Sequence, residues 1–303
     1  MADTIDVFRL FLQRLMIFLK ALGYFFSRTL PGRALVFLSL PLALLALALW
    51  EPDRSPPIFD VQMHYNDNTW SLYPAKGLMR AMQHYNVPWV AISSTPNEGT
   101  AKMVEADRLR VVPMFVPYRN LADRDHWLEN PDLIEWMTSE LDLHDYRGIG
   151  EFHLYDGLVD VPAVRRLLAL SVERQLVLNV HGEASVIRQL LTIQPGIRVL
   201  WAHAGMKTPP RLVGEMLELH RNLWAELSHR ADIAPDGKLA PEWRNLFERF
   251  PDRFMVGSGT YNNEFWFRYG LTLSRTREWL RQLRPALAER IAHENARDLF
   301  ARR

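Results

Sequence analysis

Four side chains able to bind a metal or move a proton fall in or just after apolar runs. They are His64 after I-F-D-V-Q-M, Glu151 within G-I-G-E-F-H, His181 after L-V-L-N-V and His203 after V-L-W-A. Imidazole nitrogens and a carboxylate suit one divalent ion, Zn²⁺ first, with Mn²⁺, Fe or Ni²⁺ as alternatives. A single histidine at a strand end is most often structural. Three at equivalent positions, joined by a carboxylate from a fourth run, point to a metal site. Asp60, Gln62 and His64 alternate with Phe59, Val61 and Met63, so an extended chain places the three polar residues on one face. The chain has no cysteine, which removes disulfides, thiolate metal sites and cysteine nucleophiles.

Such residues need a frame that gathers strand ends. Eight β-like runs recur: Ile58–His64, Pro88–Ser93, Val111–Val116, Gly148–Leu154, Leu176–His181, Arg198–His203, Asn222–Leu227 and Arg253–Ser258. Helical periodicity lies between them, as over Val161–Glu173, Ala184–Thr192, Pro209–His220 and Pro241–Phe250. This alternation predicts an α/β fold, a (β/α)8 TIM barrel over residues 58–303, whose site is built at the C-terminal ends of the strands. An open doubly wound sheet is the alternative, but no G-x-G-x-x-G turn follows an early strand.

Composition agrees with one large globular unit. Of 303 residues, 48% are hydrophobic and 23% charged, enough to bury a core. With 36 basic and 35 acidic side chains the net charge is +1, so nothing electrostatic favours nucleic acid, and the expected partner is a small-molecule substrate. The oligomeric state is left open.

The first fifty residues read differently. Ala34 to Trp50 carries no charge and has about the length needed to span a bilayer. Arg9, Arg14, Lys20, Arg28 and Arg33 precede it, which keeps that end cytoplasmic. The expectation is an amphipathic or interfacial helix with a basic linker over 1–33 and a transmembrane signal anchor over 34–50. A Pro-rich spacer over 51–57 follows, leaving the barrel on the periplasmic side of a bacterial inner membrane. A second span and a cleaved signal, at Ala46-Leu47-Ala48, are the alternatives.

Six stretches resemble the amidohydrolase superfamily of metal-dependent barrels, in particular its amidohydrolase-related and TatD-like branches. They are D-V-Q-M-H-Y at 60–65, G-E-F-H at 150–153, N-V-H-G-E at 179–183, W-A-H-A-G at 201–205, V-G-S-G-T-Y at 256–261 and H-E-N-A-R-D-L-F at 293–300. The resemblance implies His64, Glu151, His181 and His203 as metal ligands. It also implies H-x-H on the first strand and an Asp after the eighth, where this chain has Gln62 and Gly259. Gln62 offers at best a weak amide ligand and Gly259 offers nothing, so the usual base for activating water is missing.

Other acids must then supply the chemistry. Glu151 and Glu226 are the expected catalytic groups, with Glu183 and Asp156 as further candidates; the competing role for Glu226 is a surface partner of Arg230 or Lys207. Gln62, His153, His229 and Tyr261 are assigned to substrate. The resemblance implies a metal-dependent hydrolase acting on a small amide, ester or carboxylate, with decarboxylation as a related outcome, and the N-terminal segment makes the expected protein membrane-anchored. The alternative is a catalytically degenerate barrel that binds a ligand or envelope partner.

Overall fold

The computed structural model describes residues 56–301. The expected interfacial helix, membrane anchor and most of the spacer lie outside the described residues. Among the described residues, no helix is long and apolar enough to cross a membrane.

Eight strands run in chain order through one sheet, each pairing in parallel with the next. They are β1 (Phe59–His64), β2 (Trp89–Ser93), β3 (Val111–Phe115), β4 (Gly148–His153), β5 (Val177–His181), β6 (Arg198–Trp201), β7 (Leu223–Glu226) and β8 (Phe254–Met255). The principal helices after them are α1 (Ala75–His84), α2 (Glu98–Ala106), α3 (Pro131–Leu143), α4 (Pro162–Glu173), α5 (Ala184–Ile193), α6 (Pro210–Leu219), α7 (Pro241–Arg249) and α8 (Tyr269–Leu280), with a closing helix α9 (Asn295–Phe300). Strand 1 meets the chain just beyond β8: Val61 N donates to Val256 O at 3.2 Å and Gly259 N to Gln62 O at 2.7 Å. The sheet thus curls into a nearly closed (β/α)8 TIM barrel.

Local sequence explains the helices. In α4, Pro162 sits in the first turn, where its missing N–H costs nothing, and Val164, Leu167, Leu168 and Ser171 turn one face onto the sheet. At the other end of the chain, Leu299 and Phe300 of α9 pack with Phe59, Val61 and Met255. Asn295 fastens α9 by donating to Pro251 O and Phe254 O, each at 2.9 Å. The barrel floor is therefore made by the last helix.

Register places the site. His64 lies level with Ser93, and His153 with His181, so polar residues from neighbouring strands reach the same rim. Two expectations are corrected. The β1–β2 register shifts between Asp60 and Met63, a bulge that reorients side chains along the strand. As a result Asp60 bonds Tyr269 of α8, while Gln62 bonds Asn179 of β5, and the two do not share a face. Strands 6 and 8 also stop short of the expected ends: His203 lies in a tight turn after β6, and Gly257 and Gly259 follow the two-residue β8.

Candidate active site

The rim of the barrel holds a cleft of about 450 Å³ bordered by His64, Glu151, His153, His181, His203 and His229. Glu151 is its centre. His64 Nε2 lies 3.0 Å from Oε2, to which Gln62 Nε2 also donates at 2.5 Å. His181 Nδ1 at 2.7 Å and His203 Nε2 at 3.1 Å meet the other oxygen, Oε1. Burial alone would raise the Glu151 carboxyl, but the bonds from His181, His203 and His64 outweigh it and hold it well below the usual carboxylate range. The sequence-expected ligands are thus brought together around one carboxylate. His153, assigned to substrate from the sequence, also belongs to this group. Its Nε2 lies 3.8 Å from Glu151 Oε1, its ring stacks on His181 at 4.2 Å, and one ligand atom from each of Glu151, His153 and His181 falls within 4.8 Å of the others.

Gln62 does not reach the cleft. It is buried beneath Glu151, with its amide oxygen taken by Asn179 Nδ2 at 2.5 Å. Its polar atoms bridge β1, β4 and β5, so the substrate role expected of it passes to a bracing one.

Glu226 is likewise not at the rim. It is fully buried, and its oxygens accept from the backbone N–H of His203 at 3.0 Å, the backbone N–H of Ser228 at 2.5 Å and the Ser228 hydroxyl at 2.9 Å. His203 and Ala204 have φ of 56° and 45°, a left-handed conformation that costs non-glycine residues about 1–3 kcal/mol each. Glu226 and Arg230, whose Nη1 donates to Ala204 O at 3.0 Å, hold this turn in place. The turn in turn aims His203 at Glu151. Burial would lower the His203 imidazole, yet the flanking Glu151 and Glu226 carboxylates push it up to about 10. The surface pairing expected for Glu226 is absent among the described residues; Arg230 pairs instead with Asp232 at 2.7 Å. Glu183 and Asp156 serve local structure, accepting from Thr208 and from Ser185 and Gln189.

Several residues of the site do not stand out in the sequence. Ser93 Oγ sits 3.0 Å from His64 Nδ1, and Ser228 Oγ 2.9 Å from His203 Nδ1, each fixing a ring from behind. Ser93 ends the second apolar run and Ser228 stands two residues past Glu226, so strand-end position was the available signal. Tyr118, Arg124 and Met206 border the cleft beside Tyr261, which is half exposed. Arg124 is the one Lys or Arg among the described residues lining it.

The amidohydrolase family model matches residues 141–302, more than half of the chain. The chain belongs to the amidohydrolase family. No curated protein sequence matches it. Solved structures agree in fold. A probable 2-pyrone-4,6-dicarboxylic acid hydrolase from Acinetobacter baumannii with bound citric acid is 13% identical, has a TM-score of 0.55 and covers 80% of this chain and 98% of its own. An amidohydrolase from Burkholderia multivorans with bound HEPES is 16% identical, with a TM-score of 0.54 and coverage of 80% and 99%. A β-aspartyl dipeptidase from Fervidobacterium islandicum is 12% identical, with a TM-score of 0.54 and coverage of 81% and 73%. At these identities the likeness is one of fold.

Asp60 carries a separate consequence of the β1 bulge. Burial pushes its carboxyl up to about 6 from 3.8, against the lowering bonds from Ser258 and Gln62. The folded protein therefore prefers protonated Asp60. This stabilisation is complete below pH 3.8 and is lost as pH rises through about 6, about 3 kcal/mol in all. In Asp60→Asn the amide oxygen still accepts and the NH₂ meets the Tyr269 hydroxyl. Urea unfolding should show this variant gaining on the parent protein as pH rises from 4 towards 7. Parallel stability curves for the two proteins would refute the assignment.

Proposed function

We propose that this amidohydrolase-family protein is a metal-dependent hydrolase that cleaves a small ester or amide, with one divalent ion held in the cleft. The observation that carries this reading is the convergence of His64, His181 and His203 on Glu151, with His153 beside them. Imidazoles and a carboxylate aimed at one point form a donor set suited to Zn²⁺, Mn²⁺, Fe or Ni²⁺. The amide oxygen of Gln62 is committed to Asn179, which removes it from the donor set. A bound ion would supply Lewis-acid polarisation of the scissile carbonyl.

The remaining residues fit a small polar substrate. Arg124, exposed at the cleft edge and paired with Asp125 at 3.3 Å, offers a cation to a substrate carboxylate, and Tyr118, Met206 and Tyr261 offer apolar surface. Two similar structures point the same way by their names, one to a cyclic ester bearing carboxylates and the other to a dipeptide amide. Burial of Glu151, Gln62 and His203 excludes bulk water from the side opposite the cleft.

Metal content is the deciding measurement. The full-length protein, purified without chelator or histidine tag, is expected to hold about one equivalent of divalent metal. His181→Ala should lose it, together with hydrolysis of an ester and amide panel. A well-folded protein with no metal, or with metal indifferent to His181→Ala, would end this reading.

A further inference from the structure

Hydrolysis needs a group that takes a proton from water and returns one to the leaving atom, and the carboxylates are poorly placed for it. Glu151 already meets four side chains, and Glu226 is buried and fully engaged beneath His203. His64, His181 and His203 are held by Glu151, and His153 is stacked on His181.

His229 stands apart. It borders the same cleft and is exposed, and its ring bonds the Gly259 backbone rather than any side chain among the described residues. The imidazole is nonetheless fixed. Its centroid lies 5.0 Å from that of His203, 5.0 Å from Phe265 and 5.9 Å from Tyr261. Its own φ of 60° is a strained left-handed conformation, of the kind that persists where surrounding structure demands it. Across from it Gly259 has φ +66°, and a Cβ there would sit 2.1 Å from His229 Nε2. The ring thus fills the space that any side chain at 259 would need. An imidazole wedged between Gly259, Phe265 and Tyr261 on the wall of the cleft, beside the point where the other histidines converge on Glu151, has the placement that general acid–base chemistry uses.

We propose that His229 is the acid–base catalytic residue of this cleft, a role that rests on the hydrolase reading above. The imidazole accepts a proton from water as the water oxygen bonds to the carbonyl carbon. The bond from that carbon to the leaving oxygen or nitrogen then breaks, and the imidazolium returns its proton to the leaving atom. Ester plus water becomes acid plus alcohol, and amide plus water becomes acid plus amine, with no other reactant.

The test uses the full-length protein with p-nitrophenyl acetate and dihydrocoumarin as probes. His229→Gly should lower kcat by about 100-fold or more with KM little changed. Added imidazole should restore much of the loss by entering the vacated space. His229→Gln, which keeps the bulk, should be equally slow and should not be rescued. Turnover by His229→Gly within a few-fold of the parent protein, or a loss that imidazole does not repair while His229→Gln stays fully active, would overturn the proposal alone. A parent protein that turns over neither probe would overturn the hydrolase reading and this role with it.

Discussion

Replacing Glu151 with Gln in the metal-free protein is expected to cost about 3–5 kcal/mol and lower Tm by roughly 10 °C. The carboxylate accepts from Gln62 and meets His64, His181 and His203, so it is an acceptor for four neighbours inside the barrel. A Gln amide keeps one acceptor oxygen and turns an NH₂ group towards donors. Whichever way the amide lies, one contact is forced to donor against donor: the Gln62 NH₂ on one side, or the protonated His203 imidazole on the other. His203, pushed up to about 10 by its two carboxylates, also loses one of them while remaining buried. Removing one partner of a buried charge pair is costly because the other stays desolvated. Calorimetry on chelator-treated protein checks this, and a companion measurement should show divalent metal lost from the unchelated variant. An unchanged Tm would mean that the carboxylate is not the organising centre.

Most of the frame was legible because barrel strands are buried on both sides and so appear as apolar runs. Phe59–His64, Gly148–His153 and Val177–His181 were each expected within one or two residues, and α4, α5 and α7 likewise. The convergence of His64, Glu151, His181 and His203 was legible for the same reason: polar side chains at the C-terminal ends of several such runs meet at one rim. What failed depended on backbone geometry that periodicity does not encode. The bulge in β1 separates Asp60 from Gln62, although strict alternation joins them. The left-handed turn at His203 and Ala204 carries the histidine past the end of β6. Glu226 ends its run as an active-site acid would, yet burial and three hydrogen-bond donors assign it to holding that turn. Gly259 has no side chain to read, and its consequence surfaces at His229, thirty positions away in sequence.

Gly150→Ala should be the most damaging single methyl group in the barrel. Gly150 has φ +126°, outside the range open to L-residues, and a Cβ there would lie 2.0 Å from the backbone oxygen of Asn179. That oxygen belongs to β5, which pairs with β4 at this point, so relief requires the strands to part. Strained backbone at about 1–3 kcal/mol and a forced displacement of similar size sum to about 4 kcal/mol. The strand that moves carries Glu151 on the next residue, and Asn179 itself braces Gln62. Stability and metal binding should therefore fail together. Gly157→Ala is the internal control: its φ is +84°, but nothing lies within 4 Å of the added carbon, so only the backbone term of about 1 kcal/mol remains. Urea unfolding of the two variants separates a steric clash from glycine's conformational freedom. Equal losses would show that β4 and β5 are free to separate, and that the close approach at Gly150 does not position Glu151.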